Sequence, residues 1–123
     1  MSSSNILFVY GSLCWAELRY ELLQRYIPAR TAILNGYKPF WLGTEAYPGL
    51  RRLPGGRTKG QLLLRLSGRD LLRLDRYEGK RYRRVRCVPG YAHGRLPAWV
   101  YVLRASYAHE LSWRQYQLMA EFL

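Results

Sequence analysis

The strongest restriction on the fold of this chain is that its apolar segments are short, and most are closed by glycine or proline. Ile6–Tyr10 is an apolar and aromatic run that stops at Gly11, which reads as a buried strand followed by a tight turn at Gly11-Ser12-Leu13. Ala16–Tyr26 carries Leu18, Leu22 and Tyr26 at helical spacing and ends before Pro28, which predicts a helix. Ala29–Leu34 and Tyr37–Leu42 read as two strands of a hairpin around Asn35-Gly36. Gly43–Arg57, with Pro48-Gly49 and Pro54-Gly55-Gly56, reads as a long loop. Lys59–Leu66 is predicted as a strand. Ser67 caps a helix, with Asp70 completing an imperfect capping box and Gly79 stopping it. On that helix Leu71, Leu74 and Glu78 share one face. Tyr82–Val88 and Ala98–Leu103 are strands on either side of a Pro89–Pro97 turn, and Ser112 is read as the cap of a last helix carrying Trp113, Tyr116, Met119 and Leu123. Strands outnumber helices and do not alternate regularly with them. That pattern predicts an α+β domain with a mixed, curled sheet rather than a doubly wound one.

Composition narrows the class further. The 123 residues are expected to form a single domain over residues 1–123, with Met1–Ser4 as a short tail. No apolar run approaches the roughly 18 residues of a membrane span, and Ile6–Tyr10 is too short for the apolar core of a signal peptide. A cytoplasmic protein with no membrane partner is expected. Cys14 and Cys87 are too few for a disulfide framework and lack metal-ligand spacing, so no metal or other cofactor is expected. The formal charge is +12, and 17 of the 20 basic residues are arginine. Guanidinium forks suit carboxylates and phosphates, while arginine-rich composition also serves simply as a solvated surface.

Two segments could carry chemistry. In Tyr10-Gly11-Ser12-Leu13 a strand ends in a glycine that lets backbone approach a ligand, and successive amides make a concave anion site. The same pattern also serves as an ordinary turn. In Leu74-Asp75-Arg76-Tyr77-Glu78-Gly79 one carboxylate, Glu78, stands at the end of a helix in the most cationic stretch of the chain. The negative end of the helix dipole and partial burial raise its proton affinity, and neighbouring arginines lower it. Glu78 is therefore either a general base or half of a surface ion pair with Arg76, Arg81 or Arg84. Asp75, three residues earlier, reads as a structural partner of Arg76 or Lys80.

Taken together, the strand ending Phe-Val-Tyr-Gly-Ser-Leu and the later Leu-Asp-x-Tyr-Glu-Gly-x-x-Tyr-x-Arg resemble the gamma-glutamylcyclotransferase-like (AIG2-like) family. Tyr47-Pro48-Gly49, Lys59-Gly60-Gln61-Leu62 and Trp99-Val100-Tyr101-Val102 extend the resemblance, in the family's order, over nearly the whole chain. It implies a small curled mixed sheet or barrel with flanking short helices and one cavity. It also implies a small gamma-glutamyl substrate that cyclises to 5-oxoproline and releases its amine. Glu78 then matches the acid/base glutamate. Tyr10, Gly11, Ser12 and Leu13 form the cradle, Tyr82 and Tyr101 are expected pocket liners, and Arg84 is the expected partner of the substrate α-carboxylate. Neither a covalent nucleophile nor a cofactor is required. The chain departs from the family at Cys14-Trp15-Ala16-Glu17, where a basic loop is usual, which alters the pocket rim and leaves the leaving amine open, as is the oligomeric state. A catalytically silent binding domain of the same fold is the alternative. Nucleic-acid binding is a third reading, and Arg81-Tyr82-Arg83-Arg84 argues against it, because strand alternation sends Arg83 and Arg84 to opposite faces.

Overall fold

The structure, a computed structural model, describes residues 5–42, 48–104 and 111–112. Among these, β1 (Asn5–Val9), β2 (Ala29–Leu42), β3 (Pro48–Leu66), β4 (Tyr82–Cys87), β5 (Gly90–Tyr91), β6 (Gly94–Arg95), β7 (Ala98–Leu103) and β8 (Leu111–Ser112) join in one sheet. Its order is β4-β7-β1-β3-β2-β5-β6, with β8 added to β2. β1 runs parallel to β7 and antiparallel to β3, so the sheet is mixed, as the strand and helix pattern predicts. Two α-helices, α1 (Ala16–Leu23) and α2 (Gly68–Glu78), and a 3-10 turn over Ser12–Cys14 complete the described elements.

The central strands bury both faces, which is why they read as continuous apolar runs. Leu7 and Val9 point to the helices and pack with Leu63, Leu66, Leu71, Leu74 and Leu103. Phe8 points the other way, among Leu34, Leu50, Leu62, Val100 and Val102. Each fully buried Leu or Phe contributes about 1.5–3 kcal/mol by leaving water. In this second cluster Leu50 of β3 lies with Val100 and Val102 of β7, although β1 stands between those strands in the sheet order. Arg51 Nη1 also donates to the Leu103 carbonyl at 3.3 Å. The sheet therefore curls past the end of β1, and the space it leaves there becomes the site.

Several expectations change. Asn35-Gly36 does not turn the chain: Ala29–Leu42 is one strand, and its antiparallel partner is β3. Gly36 does take a positive φ of 86°, but as a bulge, because the register jumps from Asn35 opposite Arg57 to Tyr37 opposite Arg52. The same pairing turns most of the expected long loop into strand, from Pro48 onward; residues 43–47 lie outside the described residues. α1 stops at Leu23 rather than Tyr26, because Gln24 adopts the left-handed conformation and its N–H closes on the Tyr20 carbonyl at 2.7 Å. The turn before β7 holds a small β5–β6 hairpin. Ser112, expected as a helix cap, pairs with Trp41 in the sheet, and the predicted helix beyond it lies outside the described residues, as does the Met1–Ser4 tail.

α2 forms as predicted. Asp70 N–H donates to Ser67 Oγ at 3.0 Å and Ser67 N–H to Asp70 Oδ2 at 2.8 Å, so the capping box is complete. Arg25 donates to the same carboxylate and, at 2.7 Å, to the Arg65 carbonyl. Leu71 and Leu74 are buried on one face, and Glu78 follows on that face at the last helical position.

Candidate active site

Where β1 ends, the chain cannot continue as strand, because its two neighbours curl toward one another there. Tyr10 fills the gap: its hydroxyl donates to the Tyr101 carbonyl at 2.8 Å, and the Leu50 amide bonds to it from the other side. The approach of β3 to this point depends on Gly60. A Cβ there would stand 2.1 Å from the Val9 carbonyl oxygen and 2.8 Å from the Phe8 ring.

The chain then enters the 3-10 turn. Cys14 N–H bonds to the Gly11 carbonyl and Trp15 N–H to the Ser12 carbonyl, both at 2.9 Å. The amides of Ser12 and Leu13 come first in this turn, ahead of any intrahelical acceptor. Arg19, buried in α1, holds the turn in place by donating to the Leu13 carbonyl at 3.0 Å and to Gln61 Oε1 at 3.2 Å. Across the opening, Ser12 Oγ and the Tyr77 hydroxyl share a hydrogen bond of 2.8 Å.

The facing wall is the last turn of α2 and the residues after it. Gly79 ends the helix with φ 82° and ψ −173°, a region almost closed to side-chain-bearing residues, and this releases the chain toward Lys80 and Arg81. The result is a cleft of about 340 Å³ lined by the Tyr10–Leu13 turn, the Tyr77–Arg81 segment, Tyr82 of β4, Tyr101 of β7, and Phe8 and Val9. Seven of the expected site residues thus meet in one place: Tyr10, Gly11, Ser12, Leu13, Glu78, Tyr82 and Tyr101.

Glu78 is the single acid among the lining residues and is half-buried. Among the described residues it makes no ion pair, so the surface-pair reading is not what the structure holds. Burial, and then the negative charge of Asp75, push its carboxyl up from 4.5 to about 7. Burial, Glu78 and Tyr82 raise the Tyr10 phenol. Burial, with the hydrogen bond to Asp75, raises that of Tyr101. Both tyrosines therefore stay neutral.

Arg84 is the expected site residue that the structure does not bring to the cleft. Its Nε donates to Asp75 Oδ1 at 2.8 Å and its Nη2 to Oδ2 at 3.1 Å, while the guanidinium lies 4.6 Å over the Trp99 ring. Asp75, expected to pair with Arg76 or Lys80, pairs instead with Arg84 and accepts the Tyr101 hydroxyl at 2.6 Å. The cations that do line the cleft are Lys80 and Arg81. With Tyr77, they stand beside Glu78 in the same sequence segment, and that adjacency was the available signal. Arg19 carried none, because its partners are defined only by the fold. Burial pushes the Cys87 thiol up to about 12 and raises that of Cys14, so neither is primed as a nucleophile.

Residues 7–118 match the sequence profile of the family described as gamma-glutamyl cyclotransferase, AIG2-like. AIG2-like protein C of Arabidopsis thaliana is 36% identical over 78 residues, covering 63% of this chain and 45% of that protein. The chain spans about half the length of the curated relatives it matches. Among solved structures, one from Arabidopsis thaliana superposes with a TM-score of 0.75 at 21% identity, over 98% of this chain and 85% of the other. A gamma-glutamyl cyclotransferase superposes with a TM-score of 0.73 at 17% identity, over 82% of this chain and 67% of that one. These similarities and the profile match over most of the chain agree with the curled mixed sheet: the chain belongs to the gamma-glutamyl cyclotransferase, AIG2-like family.

Proposed function

We propose that this protein cyclises the gamma-glutamyl group of a gamma-glutamyl amine or amino acid to 5-oxoproline, releasing the amine, with Glu78 as general acid and base. The observation that carries this reading is a half-buried carboxyl, without an ion pair among the described residues and raised to about 7, in a cleft it shares with a turn whose leading amides have no intrahelical acceptor. A base poised near neutrality can take a proton and later return it.

The reaction needs little else from the protein. Glu78 removes a proton from the substrate α-ammonium. The freed amine attacks the γ-carbonyl carbon of the same molecule, forming the ring C–N bond, and the carbonyl electrons move onto oxygen. In this reading the amides of Ser12 and Leu13, at the start of the turn that lines the cleft, receive that oxyanion. On collapse the original amide C–N bond breaks, Glu78 returns its proton to the departing nitrogen, and the ring nitrogen gives up its second proton, so that the amine leaves as an ammonium and the ring as a neutral lactam. Folding the glutamyl chain back on itself supplies proximity, worth up to about 7–11 kcal/mol at ideal orientation. Lys80 and Arg81, which line the cleft where Arg84 does not, are the cations this reading gives to the α-carboxylate.

The test is release of 5-oxoproline from gamma-glutamyl amino acids and gamma-glutamyl amines. Glu78→Gln should lose about 10²–10⁴-fold in kcat while keeping its fold. Equal release by both proteins would remove Glu78 from the mechanism. No release by the wild type from any of these substrates would favour a binding domain of the same fold.

A further inference from the structure

Asp75 and Arg84 lie outside the lining of the cleft, yet they form the best-defined polar cluster beside it. The Asp75 carboxylate accepts three hydrogen bonds, two from Arg84 and one from the Tyr101 hydroxyl, at 2.6–3.1 Å. These bonds join α2 to β4 and to β7 one helical turn before Glu78. Arg84 is itself fixed, because its guanidinium lies over the Trp99 ring at 4.6 Å, with Arg86 at the same distance from that ring. Tyr101 is tied in turn to Tyr10 through its carbonyl. The chain of contacts therefore runs from a partly exposed ion pair to both tyrosines that line the cleft with Glu78.

We propose that Asp75 is a positioning residue for Glu78, and that its pairing with Arg84 sets both where the Glu78 carboxyl stands and how readily it ionises. The helix end is also held by Gly79, whose N–H closes on the Asp75 carbonyl, and by the exposed Ser12–Tyr77 bond. A misplacement of about 1 Å at a reacting group can cost on the order of 10²-fold in rate. The two members of the pair act on Glu78 with opposite sign. Asp75 is an anion on the same helix face of the sheet and holds the Glu78 proton on. Arg84 neutralises part of that anion's field. The other groups facing Glu78 are Tyr10 and Ser12 from the β1 end, Lys80 and Arg81 after the helix, Tyr82 from β4 and Tyr101 from β7. Tyr10 and Tyr101 are neutral, and the variants below leave all of these groups in place.

This inference rests on Glu78 being the acid/base group, so its test reads ionisation directly as well as turnover. The full chain is labelled with ¹³C at the glutamate carboxyls, and the signal missing from Glu78→Gln identifies Glu78. Asp75→Asn should move the Glu78 midpoint down from about 7 and lower kcat about tenfold or more, with KM changed less. Arg84→Gln should move the midpoint up, and Arg84→Lys should return it toward the wild-type value. If Asp75→Asn does not fold, the upward shift in Arg84→Gln alone decides. Midpoints that stay fixed, or that move the same way in both variants, overturn the proposal. Opposite shifts in a protein that releases no 5-oxoproline would uphold the positioning role and reject the cyclisation reading instead. A wild type that turns over while neither midpoint moves would do the reverse.

Discussion

Glu78 must lose its proton to act as a base, and its carboxyl is raised to about 7. The expected kcat/KM therefore climbs with pH through about 7, and a pH–rate profile checks it. The same shift has a consequence for stability. In the unfolded chain Glu78 releases its proton near 4.5, whereas the folded protein holds it until about 7. Across that window the native state binds more protons than the unfolded one, so this residue lowers stability as pH rises, and the penalty is constant above the window. Glu78→Gln removes the penalty. It should stabilise the protein by on the order of 1–3 kcal/mol at pH ~8 and leave it unchanged at pH ~4, measured by urea denaturation. A carboxyl whose removal stabilises the fold is one held against its own desolvation, the trade of stability for activity that the proposed role of Glu78 entails. At this scale the sequence was legible where partners are local. Ser67, Asp70, Leu71, Leu74, Glu78 and Gly79 sit within one helix, and spacing alone relates them. Arg84 was misplaced because its partner, Asp75, is brought to it by the packing of α2 against β4, which no local pattern encodes.

At the level of elements, β1 and β3 are held in contact by the missing side chain at Gly60. Gly60→Ala would force a methyl group against the Val9 carbonyl. It should cost about 1–3 kcal/mol through overpacking, and it should lower activity more than stability accounts for, because Tyr10 follows Val9 directly. A thermal melt beside a 5-oxoproline assay separates the two effects. By contrast, Ser67→Ala should cost about 1 kcal/mol, the usual worth of an N-cap, and leave kcat nearly unchanged, since the capping box is at the far end of α2 from Glu78. Elements also show how local chemistry can be right and its reading wrong. Asn35-Gly36 does adopt the positive φ that such pairs favour, but whether that makes a turn or a bulge is decided by the partner strand. Pro54-Gly55-Gly56 looked like loop for the same reason: it carries the surplus residues opposite the Gly36 bulge inside β3.

For the whole molecule the dominant electrostatic fact is the charge of +12. Self-repulsion of that size destabilises the compact state. Raising ionic strength from ~0.01 M to ~0.15 M shortens the Debye length to about 8 Å and should raise Tm, as a calorimetric salt series would show. A Tm that falls instead would mean that screening of the Arg25–Asp70 and Arg84–Asp75 pairs outweighs the relief. The mixed, curled character of the sheet was readable from the count and order of short apolar runs, because strands buried on both faces must be apolar throughout. The strand order was not, since β1 pairs with β3 and β7 and not with β2, the strand that follows it in sequence.

That pairing also bears on how the protein comes into being. The parallel contact of β1 with β7 joins residues roughly ninety positions apart along the chain, with Leu7 opposite Trp99 and Phe8 opposite Val100. Long-range parallel pairing of this kind is entropically slow to form. The cleft draws on both sides of it: Tyr10 directly follows β1, and Tyr101 belongs to β7. A growing chain leaving the ribosome can thus build the β2–β3 hairpin and cap α2 early, but its cleft is incomplete until β7 docks. Glu78 stays without its enclosing tyrosines, and close to an ordinary glutamate, until nearly the last strand is in place.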